Sequence, residues 1–374
     1  MGLLNGTWSF TRYRIAGKLP EQFNNFIDER LKKNAFCNFV GQAAEKTSGW
    51  TSLENVLDTD FTYAKYQCGA YLIFSLRIDR RPVPSSLLKL KVMEEEKKHL
   101  MENGKKRLYR HEREAIREKV QLELQSKALN VPSFHDVCWS PAQNTVFFGS
   151  LSPKVIEDFE KNFKESFQLT LHPFYPWESL PIGEGDKSSA AGKSSVPANP
   201  QRAGAEGTVH TIFWGREFLT WLWFKSEERN GIVTVPEMGE NEVLFLQRLV
   251  LTSGDGEYSE TVVCQGLHSD MKEGKEALRQ GKKIKEARLK LSKDATKWEF
   301  TFKADMFQFQ SLKLPITMDI EEETDREGRI LERIYLVETA VETMDQLFSA
   351  FFQLRTSPLW EKEEQPRMEK WLNQ

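Results

Sequence analysis

Residues 84–130 read PSSLLKLKVMEEEKKHLMENGKKRLYRHEREAIREKVQLELQSKALN, long charged side chains carrying a thin apolar stripe of Met93, Leu100, Leu108, Ala115 and Leu122. Steps of seven or eight residues are helical, and Asn103-Gly104 breaks the stretch into two antiparallel helices. A stripe that narrow buries one edge only, so the pair is expected to project from the body as a charged helical hairpin.

On either side of this stretch the pattern changes. Thr7 to Ile15, YAKYQCGAYLIFSLRI, HDVCWSP and NTVFFGSL are rich in aromatic and β-branched residues and read as strands, the last two joined by a Pro-Ala-Gln turn. Phe23, Phe26, Ile27 and Leu31 recur at helical spacing, and Val155, Phe159 and Phe163 repeat every four residues, as a helix packed on a sheet requires. Residues 183–207 hold five Gly, four Ser, five Ala and two Pro with no aromatic, the composition of a flexible linker. After it come the β-rich TVHTIFW, a short helix with Phe218, Trp221 and Leu222, and the half-buried strand KWEFTFK, where Trp298, Phe300 and Phe302 alternate with polar residues. Val337, Val341, Met344, Phe348 and Phe351 mark a late amphipathic helix with Glu338, Glu342 and Asp345 on its wet side, followed by an exposed aromatic tail with Trp360 and Trp371. The fold class is α+β, with an N-terminal lobe over 1–182 that includes the hairpin at 84–130, the linker, and a C-terminal lobe over 208–374.

Composition agrees with a folded chain: 374 residues, 39% hydrophobic, 29% charged and 11% aromatic, enough for about two domains. Cys37, Cys68, Cys138 and Cys264 stand apart and read as reduced thiols, not as a zinc site or disulfide framework. No basic leader followed by an apolar core opens the chain, and no run approaches the ~18 apolar residues of a membrane span. A cytoplasmic protein without membrane contact is expected.

Enzymatic motifs fail on spacing. Gly192-Lys193-Ser194-Ser195 imitates the end of a phosphate-binding loop, but Lys187 stands where that loop needs glycine, and no strand precedes it. The six histidines are scattered, without a metal-binding pair or nucleophile elbow. The acidic run Asp319 to Glu323 with Asp325 reads as a solvated, self-repelling loop. No catalytic residue, metal ligand or cofactor is assigned.

Charge position is more informative. The net charge is −3, yet residues 89–127 carry +4 and residues 272–297 carry +6, leaving −13 elsewhere. Basic surface confined to two zones of an otherwise acidic protein is expected where a polyanion is held in one place and excluded from others. Without a helix-turn-helix, zinc finger or aromatic-basic pattern, base reading is not indicated, and phosphate-directed binding of duplex DNA without sequence preference is the consistent reading. The candidate contacts are Lys272, Lys275, Arg279, Lys282, Lys283, Lys285, Arg288 and Lys290 in the second zone, and Lys105, Lys106, Arg107, Arg110, Arg113 and Arg117 in the hairpin. Two rival readings remain: a Mg²⁺-dependent nucleic-acid-processing enzyme using carboxylates such as Glu321 and Glu323, and a protein–protein adaptor with the hairpin as a coiled-coil arm.

The order of landmarks resembles the RdgC family of bacterial recombination-associated proteins. They are Tyr13-Arg14 in the first strand, Gly41 then Gly49-Trp50, Pro84-Ser85 opening the hairpin, Trp139, the helix from Lys154 to Phe167, REFLTWLWF, the basic Arg279-Gln-Gly-Lys282 helix leading into the Trp298 strand, and the late amphipathic helix. The resemblance implies head-to-head and tail-to-tail dimers closing into a ring with a basic hole for duplex DNA, nucleoid association, and restraint of RecA-promoted strand exchange. It further implies that the two basic zones line the hole and that the hairpin and the opposite end make the dimer contacts. This chain departs from the family at Ala128, Leu129 and Asn130, where family members carry basic and aromatic residues, and the linker and the tail after Leu354 look like additions.

Overall fold

The computed structural model describes residues 2–37, 46–61, 65–104, 106–179, 214–228, 230–235, 239–253, 260–266, 271–315 and 326–374. The expected linker, Gly192 to Ser195 and the acidic run from Asp319 to Asp325 lie outside the described residues. In the first half the order is β1 (Trp8–Ala16), α1 (Phe23–Lys33), β2 (Lys46–Thr51), β3 (Gln67–Cys68), β4 (Tyr71–Arg80), α2 (Ser85–Glu102), α3 (Arg110–Lys127), β5 (Val131–Ser140), β6 (Thr145–Phe148), α4 (Pro153–Phe167) and β7 (Thr170–Pro173). The second half follows with α5 (Trp214–Glu228), β8 (Ile232–Val235), β9 (Gly239–Thr252), β10 (Thr261–Gln265), α6 (Lys272–Arg279), β11 (Lys283–Lys293), β12 (Thr296–Lys303), β13 (Gln308–Lys313), α7 (Arg326–Arg355), a π turn at Trp360–Glu364 and α8 (Gln365–Leu372). The architecture is mixed α+β, as the strand and helix patterns predict.

The strands join in one sheet of order β10-β9-β11-β12-β13-β1-β6-β5-β4-β2, with β3, β7 and β8 attached to β4, β1 and β9. β1 is the seam. Trp8 and Phe10 pair with Leu312 and Phe309 of β13, while Thr11 to Arg14 pair with β6 and Tyr13 to Ala16 with β7. Cores on both faces of the seam bury Trp8 and Phe10 to Tyr13 of β1, while Arg14 and Ala16 at its end are exposed.

Because successive strand residues face opposite sides, neighbouring residues feed different cores. Leu72, Phe74, Val137, Trp139 and Phe148 pack with Ile27 and Leu31 of α1 and Phe159, Phe163 and Phe167 of α4. Ile73, Cys138 and Phe147, between or beside them, join the second core with Trp298, Phe300, Phe302 and Phe309, under α5 and α7. The helices thus cover one face of the sheet in the first half and the other face in the second, and among the described residues no helix covers the remaining face of β11-β12-β13.

The hairpin has its own small core of Leu108, Ile116 and Val120, with Leu88, Val92, Leu100 and Leu124 packed against it. Its turn is at Asn103-Gly104, where Gly104 adopts φ +60°. The stripe read from the sequence is corrected in part: Leu100 and Leu108 are inside, but Met93 and Leu122 are 58% and 67% exposed and Ala115 is exposed. The inward face lies one position over, at Val92 and Ile116, because a sparse ladder of sevens fits two adjacent helix faces equally well.

Two further expectations are corrected. The tail is not exposed: Trp360 and Trp371 are buried in the second core. Nor is the acidic side of α7 wet throughout, since Glu338 accepts a hydrogen bond from the Tyr71 hydroxyl and Asp345 from Arg12. α7 runs across the seam, so both sides of the helix meet protein.

Candidate nucleic-acid interface

The second basic zone is only briefly helical. α6 ends at Arg279, Gly281 turns the chain at φ +83°, and the rest is the strand pair β11–β12. On β11, Ile284, Ala287, Leu289 and Leu291 point into the core. The residues between them therefore point outward: Lys283, Lys285, Arg288 and Lys290. The antiparallel register places Lys303 beside Glu286, Thr301 beside Arg288, Glu299 beside Lys290, and Lys313 of β13 beside Glu299. The sheet itself thus assembles a cationic face from three strands.

This face is only partly neutralised. Arg288 lies 3.5 Å from Glu299 and Lys303 lies 3.7 Å from Glu286, with the Arg288 side chain 38% exposed. Lys285 is 48% exposed and 4.0 Å from Asp305, a carboxylate already forked by Arg216. Lys297 and Lys313 are exposed at its margins. Lys303 and Lys313 escaped the sequence reading because they lie outside the dense run. The alternation in KWEFTFK, which turns Lys303 to the same side as Thr301, was the available signal.

Other candidates are engaged within the protein. Lys282 is buried and pairs with Glu260 at 3.2 Å. Lys275 pairs with Glu227 at 2.8 Å, and Arg279 donates to the Leu372 carbonyl at 2.7 Å and pairs with Glu276. Lys272 is exposed at the start of α6.

In the hairpin, Lys106, Arg107, Arg110, Arg113 and Arg117 are exposed, whereas Lys105 lies outside the described residues. Arg110 pairs with Glu114 on its own helix, and Arg113 lies 3.9 Å from Glu96 across the hairpin. Such exposed pairs are worth little, so these arginines remain available to a stronger anion. The hairpin core is separate from the core under β11, so the two basic zones belong to different parts of the chain.

Among the described residues, no group of three or more His, Cys, Asp or Glu is placed to hold a metal ion. Glu321 and Glu323 lie outside the described residues. Among the described residues no helix is long and apolar enough to cross a membrane.

The fold and this surface define a class: a mixed α+β protein with a projecting charged hairpin and a cationic sheet face. Residues 9–179 match the family model described as "Putative exonuclease, RdgC". This match over the first half of the chain supports an assignment to the RdgC family of recombination-associated proteins. No curated protein matches it.

Proposed function

We propose that the protein binds duplex DNA without sequence preference, as a cytoplasmic, nucleoid-associated homodimer, and acts without catalysis. The observation that carries this reading is the face formed by Lys285, Arg288, Lys290, Lys303 and Lys313 on three adjacent strands. Strand geometry sets such side chains about 6.7 Å apart along a strand and about 4.8 Å apart between strands, a lattice of charge suited to a phosphate backbone rather than to base edges. The hairpin cations supply a second contact surface, and a ring-shaped dimer, as the family resemblance implies, would bring the zones of two protomers around one duplex. A protein so placed limits RecA access or strand exchange by occupying the duplex.

Binding of the purified protein to random-sequence duplexes across a salt series, with Mg²⁺ present and DNA length checked afterwards, tests this. A steep log–log slope with intact DNA and equal affinity for unrelated sequences supports it. Absence of binding at low salt favours the adaptor, and shortened DNA reveals a nuclease. Tighter retention on circular than on linear DNA after a salt wash distinguishes a closed ring from an open clamp.

A further inference from the structure

After α7 the chain turns at Thr356-Ser357-Pro358-Leu359 and lays Trp360–Leu372 across α5 and α6. Glu364, 4% exposed, accepts a hydrogen bond from Trp221 Nε1 at 2.8 Å and pairs with Lys225 at 2.5 Å. Arg367 pairs with Glu364 and with Glu228. Trp371 packs edge-on to Trp223 at 5.2 Å and donates to Glu227 at 2.7 Å.

The far end of this segment meets the second basic zone. Lys275 shares Glu227 and lies 4.9 Å from the Trp371 ring centre, while the Arg279 guanidinium caps α8 at the Leu372 carbonyl. The negative pole of a helix thus stands where a phosphate oxygen would stand. Beneath the segment a cleft of about 260 Å³ remains, lined among others by Lys282, Lys283, Arg355, Trp360 and Met368.

We propose that Trp360–Leu372 is an intramolecular strap that competes with duplex DNA for Arg279 and covers Lys275, at the edge of the second basic zone. The inference rests on the DNA-binding reading. The carbonyl oxygen that the strap gives Arg279 is what a phosphate oxygen supplies, and the Trp371 ring covers Lys275, whose carboxylate partner Glu227 belongs to α5. An eight-residue helix has no stability of its own, so α8 holds its shape only while docked, and the cleft leaves it incompletely packed over the lysines. Displacement frees Arg279, uncovers Lys275 beside Glu227 and opens the cleft that Lys282 and Lys283 line, extending the cationic sheet face around its edge.

The test is hydrogen exchange of the wild-type protein with and without a random-sequence duplex, together with salt-dependent binding by Trp371→Ala, which loosens the strap without touching a basic residue. Amides of 360–372 are expected to lose protection when duplex is added. Trp371→Ala is expected to bind about threefold to tenfold tighter near 0.1 M salt, with a slope steeper by about one unit for the Arg279 released to phosphate. Duplex binding with unchanged or increased protection in the strap overturns the inference and leaves the DNA reading standing. So does unaltered affinity of a variant whose strap exchanges freely. Failure of both proteins to bind even at low salt overturns both readings. The wild-type exchange measurement decides the matter if Trp371→Ala does not fold.

Discussion

Arg12 of β1 forks Asp345 of α7, with Nη1 to Oδ2 at 2.7 Å and Nη2 to Oδ1 at 2.9 Å, and its guanidinium lies over Phe174. The Arg12 side chain is 3% exposed, so the pair ties the first strand to the last long helix in a desolvated place. Removing one partner leaves a buried charge unpaired, which costs more than the pair contributes. Asp345→Ala is expected to lower stability by about 3–5 kcal/mol in urea denaturation. The double variant Arg12→Met/Asp345→Leu should recover a large part of that loss. A loss under about 1 kcal/mol for Asp345→Ala would mean that the seam is held elsewhere.

The same pair shows where sequence reading reaches its limit. Helices and strands built on local periodicity, such as Val155-Phe159-Phe163 and Trp298-Phe300-Phe302, are visible in the sequence, and so is the hairpin between Pro84 and Asn130. What α7 packs against is not. Glu338 and Asp345 look like a solvated edge because their partners, Tyr71 and Arg12, are more than 260 residues away. Trp371 looks exposed for the same reason: Trp223, Phe224 and Glu227 of α5, far back in the chain, make its pocket, whereas Trp360 packs on Phe351 of α7. The candidate site was legible as charge density. Its division was not: alternation in β11 turns Lys285, Arg288 and Lys290 outward, while Lys282, at the helix-to-strand turn, is buried against Glu260.

Glu338 carries a pH prediction. Burial pushes its carboxyl above the ordinary value of 4.5, against the opposing hydrogen bond from Tyr71, and its buried Oε1 has no hydrogen-bond partner among the described residues. A raised folded-state value means that the folded protein holds this proton better than the unfolded chain does. The stabilisation is therefore complete below 4.5 and is lost as pH climbs through the raised value. Glu338→Gln keeps an acceptor for the Tyr71 hydroxyl without ionising. Its stability relative to wild type should rise between mildly acidic and neutral pH and level off in acid. Denaturation midpoints across that range check this, and a gap that shrinks with rising pH would refute it.

Gly215 begins α5 against the β12–β13 turn. A Cβ there would stand 2.1 Å from the Ala304 carbonyl oxygen and 2.8 Å from its carbon, and neither backbone atom can move aside cheaply. The neighbouring Arg216–Asp305 fork is anchored at the same point. Gly215→Ala should therefore cost about 1–3 kcal/mol through overpacking, although alanine is the better helix former. Thermal unfolding measures it, and an unchanged or higher melting temperature would show that the turn yields freely.

The cationic sheet face separates the two basic zones by experiment. Arg288, Lys290 and Lys303 share one face of β11 and β12, and Arg288 and Lys303 are held only by weak pairs to Glu299 and Glu286. Changing all three to Gln should reduce the salt slope of duplex binding by about two to three units and weaken unrelated sequences alike. Changing Lys282, Lys283 and Lys285 together should lower the slope by less than three units, because Lys282 reaches phosphate only once its pair with Glu260 opens. Arg107, Arg110 and Arg113, changed to Gln in a separate variant, report on the hairpin alone. If the sheet-face triple leaves the slope unchanged while the hairpin triple abolishes it, the duplex lies along the hairpin and the sheet face is merely solvated.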